Sequence, residues 1–157
     1  MRLRSARYCL EVAPSDVDLV RAFFDGYNAR DIETVEGMLD PGVEITTLSA
    51  RAGLPARWES RANTRRYFEQ LDESWAELRV EIHDCKEVGG SLVASGAIRG
   101  IGKASQAEVV ETFATVLLAR GSRFIRIDTY SDRRAALEAP APSGAEERSA
   151  ARPEARR

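Results

Sequence analysis

Histidine and cysteine are nearly absent: His83, Cys9 and Cys85 are all that 157 residues contain. The two thiols stand far apart with no Cys-x-x-Cys spacing, and a single imidazole leaves too few soft ligands for zinc, so reduced cysteines and no metal are expected. An excess of either charge is missing too. The 23 basic and 25 acidic side chains are spread throughout and leave a formal net charge of −2, without the sustained basic stripe that nucleic acid requires. No apolar run reaches the roughly 18 residues of a membrane span. Arginines precede the first apolar run, but Glu11 interrupts it before it can act as a secretory signal. These gaps predict a soluble, cytoplasmic protein whose partners include neither nucleic acid nor membrane. Bulky apolar side chains are scarce from Glu138 to Arg157, which therefore cannot offset their own ordering entropy. The expected organisation is an N-terminal extension over 1–13, one domain over 14–139 and a disordered tail over 140–157.

What is present suffices for one core, since 43% of the residues are hydrophobic. Ser15 can cap a first helix with Asp16 and Asp18 in its first turn and Val17, Val20, Phe24 and Tyr27 on one side, ending near Asn28-Ala29. Asp31 can cap a short second helix that buries Ile32, Val35, Met38 and Leu39 and stops at Pro41-Gly42. The β-branched run from Val43 to Leu48 alternates as a strand does. Ser49 to Glu59 is expected to be a loop, and Ser60 to cap a third helix that reaches about Glu77 with Tyr67, Phe68, Leu71 and Trp75 as its apolar stripe.

Beyond Leu78 the period changes from helical to alternating. Leu78-Val80-Ile82, Leu92-Ala94-Gly96-Ile98, and then the stretches 107–120 and 123–130 predict an antiparallel meander with turns at Gly89-Gly90, Gly100 to Ser105 and Gly121-Ser122. Helices followed by a meander predict an α+β domain: a cone-shaped roll in which a curved, mainly antiparallel sheet wraps around the N-terminal helices and leaves a pocket at the open end. Ala94 and Gly96, on the inner parity, make that pocket roomy, unless Gly96 instead marks a β-bulge that curls the sheet.

The last two strands carry acids among apolar neighbours. Alternation places Val109, Glu111, Phe113, Thr115 and Leu117 on one face, and Phe124, Arg126, Asp128 and Tyr130 on one face of the next strand. A carboxyl so placed either pairs with an arginine such as Arg99 or Arg126, or has its pKa pushed upward by desolvation, as a general base requires. Glu111 is the first candidate for such a base and Asp128 the second. Tyr130 can donate to a developing oxyanion or make a structural hydrogen bond. His83 falls on the outer parity with Arg79, Glu81 and Glu87, which argues for an exterior or dimer-facing imidazole.

Three segments resemble the SnoaL-like polyketide cyclase family of the nuclear transport factor 2-like superfamily. VRAFFDGYNARDIETVEGMLDPGVEI (Val20 to Ile45) is similar to the family's opening helix pair and first strand. RWESRANTRRYFEQLDESWAELRVEI (Arg57 to Ile82) looks like its aromatic-x-Gly turn and third helix. The stretch from Gly102 to Ala139 looks like its closing strands. Ser60 and Ser122 stand where the family often has glycine. The resemblance implies a pocket for a hydrophobic small molecule, no cofactor, and a homodimer through the outer sheet face. It also implies proton transfer next to a carbonyl, as in cyclases, ketosteroid isomerases and dehydratases, with Tyr27 pointing into the cone and Trp58 at its mouth. Taken together with the strand alternation above, the expected substrate-binding set is Tyr27, Trp58, Phe113, Arg126 and Tyr130, around a catalytic Glu111 or Asp128. The alternative is a ligand-binding or dimerisation module of the same fold without chemistry.

Overall fold

The computed structural model describes residues 16–47 and 57–138. The expected Ser15 cap, the N-terminal extension, most of the Ser49–Glu59 loop and the C-terminal tail lie outside the described residues. Helix α1 (Asp16–Asn28) carries Asp16 and Asp18 in its first turn, where carboxylates complement the helix dipole, and buries Val20, Phe23, Phe24 and Gly26. Its end is a Schellman turn: the Asp31 amide donates to the Gly26 carbonyl (2.9 Å) and that of Arg30 to the Tyr27 carbonyl (3.1 Å). Arg30 takes the left-handed position at φ 56°. Asp31 then caps α2 (Ile32–Gly37) by accepting from the Thr34 amide.

Strand β1 (Leu39–Thr46) begins earlier than its alternation suggests. Pro41 and Gly42, expected to stop α2, lie inside β1 where its pairing with the last strand shifts between Leu39 and Glu44, a bulged position at which a missing N–H is tolerated. The segment expected to be a loop contributes strand β2 (Arg57–Glu59), antiparallel to β1. Ser60 caps a 3₁₀ turn (Arg61–Asn63) by accepting from the Ala62 amide, and does so at φ 78°. A positive φ of this kind is a backbone conformation that glycine adopts most readily.

Helix α3 (Thr64–Ser74) buries Tyr67, Phe68 and Leu71 and is shorter than expected. Trp75, predicted to complete its stripe, has extended dihedrals and opens β3 (Trp75–Val88) instead. Strands β4 (Ser91–Gly102), β5 (Glu108–Arg120) and β6 (Arg123–Tyr130) follow as predicted, and a short α4 (Arg133–Glu138) ends the described chain.

The six strands run in the order β2-β1-β6-β5-β4-β3, with β1 and β6 parallel and every other pair antiparallel. The architecture is α+β, as expected. The core lies between the helices and the concave sheet face, where Phe23 meets Phe124 and Phe24 meets Phe113. Asn28 ties α1 to the sheet edge: its amide donates to the Val80 carbonyl and accepts from the Val80 amide, both at 2.8 Å.

The question left open at Gly96 is answered by β3. Its pairing with β4 shifts between Ile82 and Asp84, directly opposite Gly96, and a Cβ there would overlap the Glu81 carbonyl oxygen. Gly96 is therefore needed for the close approach of a bulged strand rather than for pocket volume.

Candidate active site

Curvature of the sheet over α1 and α3 leaves an open cavity of about 450 Å³. Its walls are mostly aromatic and aliphatic: Phe23, Phe24 and Tyr27 from α1, Tyr67 and Phe68 from α3, Leu78 and Val80 from β3, and Phe113 from β5. Ala104 and Ser105 of the β4–β5 hairpin, with Thr47 and Ser74, add small and polar side chains. Two polar features stand out against this lining. Glu111 of β5, half-buried and opposite Ile98 of β4, places a carboxylate in the wall. The Tyr27 and Tyr67 hydroxyls are hydrogen-bonded at 3.0 Å.

Burial first, and the neighbouring Tyr67 second, raise the Tyr27 pKa well above its ordinary value. Tyr27 thus keeps its proton at any physiological pH and can act as a donor, not as a base. The Arg30 guanidinium lies behind this pair, 5.7 Å from the ring centroids of both Tyr27 and Phe68.

Of the residues expected from the sequence, the cavity brings together Glu111, Phe113 and Tyr27. It does not bring in Arg126, Asp128 or Tyr130. The expectation that these three share a face with Phe124 is corrected by the register: Ala119 and Leu118 of β5, adjacent in sequence, oppose Phe124 and Arg126, which are two apart. Ile125 is thus an extra residue on β6, and parity inverts after it. Phe124, Ile127 and Thr129 consequently face the core or cavity, whereas Asp128 sits opposite Val116 on the outer face.

On that outer face Asp128 is almost buried and accepts from the Arg126 guanidinium at 2.8 Å, while Arg126 also reaches Glu44 at 3.5 Å. The hydrogen bond that Arg126 donates to Asp128 raises the Arg126 pKa. Tyr130 packs against Val93, Ala114, Val116 and Ala136, and desolvation raises its pKa. Trp58 pairs through its backbone with Ile45, and its side chain lies outside what the structure describes. His83 is exposed and lies 3.4 Å from Glu81, on the exterior as expected.

Tyr67 and Thr129 are lining residues that sequence reasoning did not assign to the site. The available signal for Tyr67 was a hydroxyl-bearing ring in an otherwise apolar helical stripe. Among the described residues no group of three His, Cys, Asp or Glu side chains could hold a metal ion, and no helix is long and apolar enough to cross a membrane.

Residues 20–127 match the SnoaL-like domain. The chain belongs to that family. The SnoaL-like domain also resembles solved structures at low sequence identity. A nuclear transport factor 2-like protein from Burkholderia pseudomallei is 19% identical, with a TM-score of 0.66 over 77% of this chain and 93% of its own. A protein of ketosteroid isomerase-like fold from Catenulispora acidiphila, in complex with trimethylamine, is 15% identical, with a TM-score of 0.64 over 77% and 88%. An epoxide hydrolase from M. tuberculosis is 17% identical, with a TM-score of 0.58 over 71% and 78%. These likenesses establish the fold. No curated protein matches.

Proposed function

We propose that this SnoaL-like domain binds a hydrophobic carbonyl compound in its cavity and shifts a proton at the carbon next to the carbonyl, as a cofactor-independent isomerase, cyclase or dehydratase. Glu111 is the general base, and the Tyr27 hydroxyl, bonded to Tyr67, is the donor to the enolate oxygen. The observation that carries this reading is one carboxylate and one tyrosine hydroxyl pair set into the walls of the same largely apolar cavity.

The chemistry needs both elements. Glu111 takes the proton from the α-carbon, the freed electron pair moves into the carbonyl, and negative charge gathers on oxygen. A phenol that stays protonated donates to that oxygen from a largely apolar wall, and so favours the transition state more than the ground state. Reprotonation at another carbon completes an isomerisation; attack by the enolate on a second carbonyl completes a cyclisation; loss of a β-hydroxyl completes a dehydration.

The test is incubation with polycyclic ketones, β-keto esters and steroid-like enones, followed by mass spectrometry, for wild type, Glu111→Gln and Tyr27→Phe. Conversion should fall about 100-fold or more in Glu111→Gln and by at least about 10-fold in Tyr27→Phe. Undiminished conversion in Glu111→Gln would remove the base from the proposal. Thermal stabilisation by these compounds without conversion by any form would favour a binding module.

A further inference from the structure

Arg30 occupies a position that its backbone disfavours. At φ 56° it closes α1 in the left-handed region, where glycine is the usual choice and a side chain with a Cβ is strained. The side chain reaches back from this turn to both helices of the site. Its NH1 group donates to the Tyr27 carbonyl at 3.0 Å, its Nε donates to Asp72 Oδ1 of α3 at 3.1 Å, and its Cζ lies 5.7 Å from the Tyr27 and Phe68 ring centroids.

A stability role does not account for this arrangement. The Asp72 side chain is 58% exposed, and ion pairs so open to water contribute little to folding. What the contacts do achieve is to join the end of α1 to the last turns of α3, the elements that carry Tyr27 and Tyr67. They also place a permanent positive charge against the outer side of the Tyr27 ring. Three groups act on the Tyr27 hydroxyl from the elements around it, Tyr67 and Asp72 from α3 and Arg30 from its own turn, and Glu111 stands in the β5 wall of the same cavity. Arg30 is the cation among them.

We propose that Arg30 is a positioning residue for the oxyanion site: held by Asp72 across the Tyr27 and Phe68 rings, its guanidinium fixes the Tyr27–Tyr67 hydroxyl pair in donating geometry and strengthens its hydrogen bond to a negatively charged oxygen. This rests on the reading of Tyr27 as donor. Burial alone opposes charge near the phenol, and the Arg30 guanidinium acts in the opposite sense to burial and to Asp72. The charge works through the ring and the hydroxyl, without contact with substrate.

The experiment compares the dissociation constants of 4-nitrophenolate, an oxyanion that stands in for an enolate, and nitrobenzene, which lacks the oxygen. Both are measured at a pH above the probe's own pKa, in a Glu111→Gln background whose amide mimics the base after it has taken its proton. The ratio of the two constants isolates the oxyanion interaction. Arg30→Met should reduce the preference for nitrophenolate about tenfold, and Arg30→Lys, which keeps the charge without the planar fork, should recover part of it. Arg30→Gly should show the same reduced preference while folding at least as well as wild type, because glycine relieves the left-handed strain.

A merely structural Arg30 would weaken both probes together, and a ratio within twofold of wild type in Arg30→Met and Arg30→Gly would overturn the proposal. No preference for nitrophenolate when Arg30 is intact would overturn it together with the donor role of Tyr27. Failure of Glu111 as base is read separately, from conversion.

Discussion

Tyr27 and Asn28 are neighbours with opposite duties, one turned to the cavity and the other to the sheet edge. Removing the Asn28 amide leaves the Val80 N–H and C=O without their 2.8 Å partners at a partly buried edge. Asn28→Ala is accordingly expected to cost about 2–3 kcal/mol in chemical denaturation. The phenol of Tyr27 has a pH signature of its own. Its folded-state pKa is raised above the ordinary 10.0 by burial and by Tyr67, so the associated stability is complete below pH 10 and is lost as the unfolded chain deprotonates above it and pH climbs toward the folded value. Tyr27→Phe should flatten this alkaline loss in pH-dependent unfolding. The helix end was legible because the apolar stripe through Val20, Phe24 and Tyr27 runs out near Asn28-Ala29, and the family resemblance turned Tyr27 into the cone. The Arg30 turn beside it was not, because a left-handed φ at a non-glycine residue leaves no compositional mark.

Strands explain both the success and the failure of alternation as a guide. Glu111 was legible because β5 pairs with β4 without interruption from Glu108 to Leu117, so period 2 holds along the stretch that carries Val109, Glu111 and Phe113. In β6 the same reasoning places Arg126, Asp128 and Tyr130 on the inner side, and the extra residue Ile125 reverses them. A bulge is a property of two paired strands and is written in neither one alone. The bulge in β3 has a visible counterpart, since Gly96 of β4 is the residue it crosses. Gly96→Ala must push a Cβ into the Glu81 carbonyl, and a loss of about 3 kcal/mol or a fall in expression is expected. A similar substitution at Gly37, where an added Cβ meets nothing within 4 Å, should be tolerated, which separates the steric effect from a general intolerance of alanine.

At the scale of the molecule, placing β1 parallel to β6 connects the N-terminal half of the chain to the C-terminal strand and lets the sheet curve over α1 and α3. Local pattern could suggest the helices and the meander; that β1 docks parallel to β6 was not legible, because no local periodicity specifies a parallel neighbour. The cavity exists only when these parts meet, which is why Tyr67 read as an ordinary core residue and Ile127 and Thr129 drew no attention. A ligand bound only by the folded state stabilises it by mass action, about 2.7 kcal/mol at 100 times its dissociation constant. A hydrophobic ketone should therefore raise the melting temperature of wild type, and Ile127→Trp, which fills the cavity from β6, should abolish that rise without unfolding the chain.

The most direct measurement is deuterium incorporation at the α-carbon of a ketone shown to bind, followed by NMR in deuterated water for wild type and Glu111→Gln at saturating ligand. Because both forms are saturated, differences in affinity drop out and only proton transfer is compared. Rapid exchange is expected in wild type and a loss of about 100-fold or more in Glu111→Gln, with Asp128→Asn close to wild type because Asp128 lies on the outer face against Arg126. Equal exchange in wild type and Glu111→Gln, or a loss confined to Asp128→Asn, would contradict the assignment of Glu111 as base.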